Sequence, residues 1–396
     1  MFDRRRFLQG AASITGTLPL LGLRAGDAQA GNTRLGDRFV VLVELNGGND
    51  GLNTVVPYGD QTYYRQRATL AVERDLVLQL TETLGLHPAL APLMPLWHAG
   101  ELAVALGVGY RPPNRSHFRS IEIWNAGTDD SGSQEGWVAR AFQAAGSSLD
   151  VQRSGFVADG IVLGGTSAVL SGSRMRSVVL RDPAQLAHTR PSPGNTSGTG
   201  KNPALDHVLK VREDLYDAAS QIRAGLASSK AVHTGFPDTP LGFQLAGAAR
   251  IIAAGLAVPA FKVMHGGFDT HAGQRRQHAR LLGELAEALA AFRDAMRTCG
   301  AWDRVLVVTY AEFGRRVAEN GSSGTDHGTA APHFLLGGGV NGGLYGAQPS
   351  LADLDGGDLK PTVDFRRLYA TVCRDWWSLS AAASPFGAHK PLTGLI

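Results

Sequence analysis

The chain has 396 residues, 43% of them apolar, and a formal net charge of +3. That length and composition suit one large α/β domain, or two closely joined ones, with a sizeable core. A balance this near neutral, with two cysteines (Cys299 and Cys373), excludes a strongly basic nucleic-acid binder and a disulfide scaffold.

The first residues read as an export signal, not as fold. Asp3-Arg4-Arg5-Arg6-Phe7-Leu8-Gln9 has the twin-arginine form, residues 11–23 are weakly apolar, and Ala28-Gln29-Ala30 is a small-x-small cleavage pattern. Setting aside residues 1–30 leaves 396 − 30 = 366 for a single α/β domain spanning 31–396. The twin-arginine translocase exports folded chains, so the expected location is the periplasm or outside the cell. Export after folding also suits a cofactor loaded beforehand. No later run reaches the roughly 18 apolar residues of a membrane helix.

In chain order, 39–45 (FVVLVEL) is a valine-rich run that reads as a buried parallel strand. It breaks at Asn46-Gly47-Gly48-Asn49-Asp50-Gly51, where glycines let backbone amides approach a ligand and Asn49 and Asp50 offer oxygens. His87-Pro88 opens a helix at 89–98, and 101–107 reads as the second strand. The loop 109–116 carries two prolines and delivers Asn114, Arg115, Ser116 and His117 to a helix over 118–126. A serine there is either an N-cap or a hydroxyl facing an anionic substrate, which both helix amides and arginines favour.

Helix 137–145, short strands at 162–165 and 177–180, and a Pro/Gly/Ser/Thr-rich loop at 183–203 follow. Helices at 204–229 and 241–255 complete a helical insertion around 183–256. Strand 259–265 then turns through Gly266-Gly267-Phe268 into Asp269-Thr270-His271, before a long helix at 274–298 that carries His278. A carboxylate and an imidazole two apart at a strand end can face one side, and they are ligands of zinc and related ions. Strand 304–310 ends at Glu312, and Thr325-Asp326-His327-Gly328 precedes a strand at 332–337. Residues 340–346 read as a glycine-rich turn and 364–378 as a final helix.

Alternating strands and helices imply a mostly parallel sheet covered by helices on both faces, with ligands gathered at the strands' carboxyl ends. The expected metal ligands are Asp269, His271, Glu312, Asp326, His327, Asn46 and Asp50. Ser116 and His117 are the expected catalytic pair, and Asn49, Asn114, Arg115 and Arg315 the expected substrate contacts. The divalent ion expected is zinc, with calcium, magnesium or manganese as alternatives. It would clamp a phosphate- or sulfate-like group while a hydroxyl or water attacks.

Taken together, Asn46-Gly47-Gly48-Asn49-Asp50-Gly51-Leu52-Asn53, Leu86-His87-Pro88-Ala89-Leu90, Pro113-Asn114-Arg115-Ser116-His117-Phe118-Arg119, Phe268-Asp269-Thr270-His271, Glu312-Phe313-Gly314-Arg315 and Thr325-Asp326-His327-Gly328 resemble the bacterial family called domain of unknown function 1501. That family is grouped with the alkaline phosphatase and sulfatase superfamily. The resemblance implies that fold and a metal-dependent phosphate- or sulfate-ester hydrolase. It places Asn46 and Asp50 near the superfamily's first acidic ligand, Ser116 at its nucleophile, and Asp269, His271, Glu312 and His327 at later ligands. Phe313 stands where a histidine would follow Glu312, and no Cys-x-Pro-x-Arg segment is present. The rival expectation is a non-catalytic periplasmic binding or assembly protein on the same fold. Ser116 lacks a Gly-x-Ser-x-Gly elbow, which argues against a metal-independent serine esterase.

Overall fold

The apolar run at 39–46 folds as β1 (Phe39–Asn46), inside a nine-stranded sheet. Val41, Val43 and Leu45 enter one hydrophobic core, and Val40 and Leu42 enter another on the opposite face. Burial on both faces explains why this strand is continuously apolar and does not alternate. The structure is a computed structural model that describes residues 35–130, 132–146, 153, 155–180, 203–228, 235–381 and 384–396. The expected export signal and the loop at 183–202 lie outside these residues.

The other strands are β2 (Leu102–Gly109), β3 (Gly160–Val162), β4 (Ser177–Val179), β5 (Ala260–Gly266), β6 (Val305–Tyr310), β7 (Ala331–Leu336), β8 (Gly343–Tyr345) and β9 (Val363–Asp364). Their order is β8-β2-β7-β6-β1-β5-β3-β4, with β9 also on β2. Pairings are parallel except the two made by β7. The expected mostly parallel α/β sheet is therefore what forms. The stretch 340–346 is not all turn, because Gly343–Tyr345 pairs with Ala103–Ala105 as an edge strand.

Helices α1 (His117–Ala126) and α2 (Trp137–Ala145) place Ile123, Trp124, Trp137 and Phe142 in the second core. Helices α3 (Pro203–Ser228), α4 (Pro240–Ala253) and α5 (Gln274–Thr298) cover the other face. Leu241, Leu245, Ala248 and Ile252 are integral to that core, so α4 is a crossover helix of the sheet and not part of an insertion. The last helix, α6 (Arg366–Thr371), passes into a π turn over Val372–Trp376. It is thus shorter than the span 364–378. Cys299 is exposed, Cys373 is buried, and both thiols are free. Among the described residues no helix is long and apolar enough to cross a membrane.

Strand register decides which loops meet. Asn46 pairs with Gly266, and Glu44 with Tyr310, so the loops after β1, β5 and β6 leave the sheet at one level. Antiparallel β7 begins where these strands end. Its Ala331 lies opposite Val108, one residue before the end of β2. The approaches to β7 and α1 therefore share that same edge.

Candidate metal centre

Four segments converge at this edge. Gly47 has φ +116°, and a Cβ there would stand 2.3 Å from the Asp269 amide nitrogen. Only glycine lets the first loop lie against the third so closely. The residues after β6 zip against those before β7: Gly314 N–H donates to Thr329 O (2.9 Å), Gly328 N–H to Gly314 O (2.9 Å) and Arg316 N–H to Asp326 O (3.0 Å). That ladder fixes His327 opposite Arg315. His117 arrives from the first residue of α1.

The cluster is built on Asp269. Its Oδ1 lies 3.0 Å from His271 Nε2 and 3.2 Å from His327 Nε2. Its Oδ2 is 3.5 Å from His117 Nε2. The His271 and His327 Nε2 atoms are 2.9 Å apart. Donor atoms of His117, Asp269 and His327 all fall within 4.8 Å of one another.

The outward-facing nitrogens meet acceptors. His117 Nδ1 meets Glu312 Oε1 at 2.7 Å, His271 Nδ1 meets Asp326 Oδ1 at 3.3 Å, and His327 Nδ1 meets the Arg115 carbonyl at 2.9 Å. His117 Nδ1 faces the Glu312 carboxylate, which only accepts, so the neutral ring keeps its proton there, whereas His271 and His327 meet an acceptor at each nitrogen. The three Nε2 atoms point at one another and at the Asp269 carboxylate. These converging donors suit a cation, and the acceptors behind the rings match how metal-ligating histidines are held. His117 Nε2 is also a buried atom without a hydrogen bond. The residues present therefore fit a divalent ion.

Electrostatics agree. The hydrogen bond to Glu312 raises the His117 pKa above the ordinary histidine value, against the pull of burial. Its Nε2 position thus attracts a positive charge. Burial alone would raise the Asp269 carboxyl, but hydrogen bonds from Arg315 and His327 outweigh it and hold the carboxyl below the ordinary aspartate value. Burial lowers the His327 pKa despite its hydrogen bonds with Asp269 and the Arg115 carbonyl. Asp326 is held low first by the Asn320 amide, which donates to its Oδ1 (3.0 Å).

The structure thus gathers His117, Asp269, His271 and His327 at the centre, with Glu312 and Asp326 behind two of the rings. Glu312 is fully buried, and its Oε1 also accepts the Gly47 N–H at 2.8 Å. Its place is behind His117, as an orienting partner. Ser116 is exposed beside His117, and its side chain forms no cap hydrogen bond.

Other expected residues are turned elsewhere. Asn46 donates to Glu44 Oε1 (3.1 Å), within a buried group that includes Lys262. Asp50 is fully buried and paired with Arg67. Asn49 is equally buried, its Oδ1 2.8 Å from His278 Nε2. These positions correct the expectation that the first loop supplies ligands and substrate contacts, because the loop folds inward under the third and fourth segments. Asn114 accepts the Ser116 N–H at 2.9 Å, which shapes the approach to α1. The Arg115 guanidinium pairs with buried Asp358. Arg315 is fully buried. It donates to Gly48 O (2.7 Å), Thr325 O (2.7 Å), Phe268 O (3.1 Å) and Asp269 (2.6 Å), so it braces the loops and has no face for a substrate.

Sequence reading missed Arg67, Gln274, Asn320 and Asp358. One signal was available for Gln274. It falls with His278, Leu281 and Leu285 on the buried stripe of α5, where a polar residue needs a partner.

Among known proteins, the chain is similar to a protein in the alkaline phosphatase superfamily from Vibrio parahaemolyticus. Identity is 13%, TM-score 0.36, and the match covers 91% of this chain and 70% of that one. For a phosphonate monoester hydrolase of Agrobacterium radiobacter the values are 10%, 0.40, 90% and 78%. For an alkaline phosphatase from the Antarctic bacterium TAB5 they are 10%, 0.34, 76% and 92%. No curated protein matches. The family model described as "Protein of unknown function (DUF1501)" matches residues 37–379, and the chain belongs to that family.

Proposed function

We propose that this protein is an exported, metal-dependent hydrolase of phosphate- or sulfate-type esters. One observation carries the reading: three imidazole Nε2 atoms, each ring held by an acceptor behind it, converge on the Asp269 carboxylate. Three nitrogens and one oxygen are a donor set that suits zinc. His117, Asp269 and His327 would hold the ion, with His271 as the fourth donor. When bound, such an ion polarises a phosphoryl or sulfuryl oxygen and stabilises the charge that develops there.

The chain's own residues would do the rest. Ser116, exposed and free of a capping bond, presents a hydroxyl beside the cluster at the N-terminus of α1, where amide dipoles favour an anion. It is the proposed nucleophile. Glu312 keeps the His117 proton on Nδ1, away from the reacting side. Export follows from the twin-arginine pattern, with the periplasm or the cell exterior as the place of work.

One contact favours a second reading. The Phe313 ring centroid lies 4.5 Å from that of His327 and 4.9 Å from that of His117, tilted against both, filling the side where another ligand would extend the site to a second ion. A one-ion protein that binds an anionic partner without hydrolysing it fits that wall. Metal analysis of the purified protein, with p-nitrophenyl phosphate and p-nitrophenyl sulfate as test esters, separates the readings. The expected result is one zinc per chain, lost in Asp269→Ala, and ester hydrolysis lost in Ser116→Ala with zinc retained. A metal-free protein whose stability ignores chelators would sink both. Zinc without hydrolysis of any ester would select the second.

A further inference from the structure

We infer that Gln274 is a positioning residue that clamps together the two loops carrying His271 and His327. Its side chain is fully buried at the start of α5. Its Oε1 accepts from Thr270 Oγ1 (3.0 Å) and Thr325 Oγ1 (2.6 Å), and its Nε2 donates to Asp50 Oδ2. The amide orientation is forced, since Asp50 is held ionised by Arg67 and can only accept, which leaves the amide oxygen for the two hydroxyls.

Each threonine is next to a cluster residue or one removed. Thr270 lies between Asp269 and His271, and Thr325 is two residues before His327. The Thr325 N–H also donates to Thr270 O at 3.3 Å. Gln274 N–H donates to Ser323 O at 2.9 Å, and Gly273 N–H to Ser322 O at 3.1 Å. One glutamine therefore ties the end of the β5 loop to the approach to β7 by side chain and backbone, beside the bridge that Arg315 makes from Phe268 O and Asp269 to Thr325 O. Beneath it, the Asp50–Arg67 pair continues the brace. Arg67 donates to Val317 O (2.9 Å) and Arg316 O (2.8 Å), on the strand-like ladder that carries Arg315. Gln274 thus supports the 2.9 Å separation of the two Nε2 atoms from below while touching neither ring.

The test has two arms on the full chain, and only the zinc arm rests on the metal reading. In the first, amide hydrogen exchange without added metal compares wild type with Gln274→Leu. The expected result is faster exchange in 268–271 and 323–327 together, with the sheet strands unchanged. Equal protection in both loops, or a loss spread evenly over the sheet, overturns the clamp. In the second arm, zinc affinity is expected to fall ten- to a hundredfold in Gln274→Leu at unchanged stoichiometry. Adding Thr325→Val should cost less in that background than in wild type, because both changes break one linkage. Unchanged affinity, or full additivity, overturns it. If Gln274→Leu does not fold, Thr325→Val alone serves in both arms. A wild type that binds no zinc removes the metal reading, and the exchange arm still decides the clamp.

Discussion

Two polar regions lie back to back at the carboxyl edge of the sheet, and they are built from the same motifs. The open one comprises His117, Asp269, His271 and His327, and the Asp269 and His271 side chains are 47% and 44% exposed. The closed one comprises Asn49, Asp50, Arg67, Gln274 and His278, all fully or almost fully buried. In the closed region, polar atoms chiefly meet complementary partners: carboxylate with guanidinium, amide with hydroxyl, imidazole with amide oxygen. In the open region, three imidazole Nε2 atoms crowd one carboxylate, and His117 Nε2 is buried without a hydrogen bond. The difference is one of exposure and donor arrangement, since the closed region also holds buried atoms without a hydrogen bond, Asp50 Oδ1 and His278 Nδ1. Residue type does not distinguish them, since both contain aspartate and histidine.

The sharpest way to break this comparison is Asp50→Ala. Removing one partner of a fully buried ion pair leaves the Arg67 charge uncompensated, and such changes cost about 3–5 kcal/mol. Urea unfolding should show that loss in full. Asp269→Ala, at a half-exposed position, should move the midpoint far less while abolishing metal binding. If Asp50→Ala leaves the midpoint in place and removes the metal, Asp50 belongs to the open region and the division fails.

That division also explains what was legible beforehand. Strands β1, β5 and β6 were readable because burial on both faces leaves an unbroken apolar run. Their convergence followed from parallel pairing, so the Asp269/His271, Glu312 and His327 segments could be grouped. Strand β7 was visible as a strand, but its direction was not. It follows β6 without an intervening helix, and only a long crossover could have made it parallel. The roles of Asn46, Asn49 and Asp50 were misread because a carboxylate or amide after a first strand looks the same whether it turns out to a ligand or in to an arginine. Arg67, the residue that decides the matter, lies 17 positions from Asp50, and nothing local ties the two.

Acid should distinguish the regions next. Burial pushes His278 down to about 4, with Asp50 opposing. His87 is likewise pushed down to about 4, and His333 to about 3. These folded-state values lie below the ordinary 6.5, so from pH 6.5 downward the unfolded chain takes up protons that the folded chain refuses. Stability is unaffected by these groups above pH 6.5, falls as pH drops, and the His278 share saturates below about 4. At pH 5 that share is about 2 kcal/mol. Urea midpoints between pH 7.5 and 4.5 should fall in wild type, and less steeply in His278→Gln. Equal slopes would mean that His278 is not held neutral and that the closed region is wetter than its geometry implies.

The smallest expected effect falls on the seam between the regions, at Glu312. Its Oε1 accepts both His117 Nδ1–H and Gly47 N–H, so it is buried like the scaffold yet serves a ring of the open cluster. Glu312→Gln keeps the volume and one acceptor oxygen, but removes the charge that holds the imidazole proton on Nδ1. Changes behind a ligating ring cost ten- to a hundredfold in metal affinity, and with the acceptor retained about tenfold is expected, or about 1.4 kcal/mol. The pH midpoint of zinc binding should shift downward as well, because weakening the Glu312 hydrogen bond and removing its charge lower the His117 pKa, and a weaker proton competes less for Nε2. Zinc titrations at pH 6 and pH 8 check both statements. A tenfold loss that is equal at the two pH values would assign Glu312 to packing alone, and the open cluster would then be oriented by His327 and His271 without it.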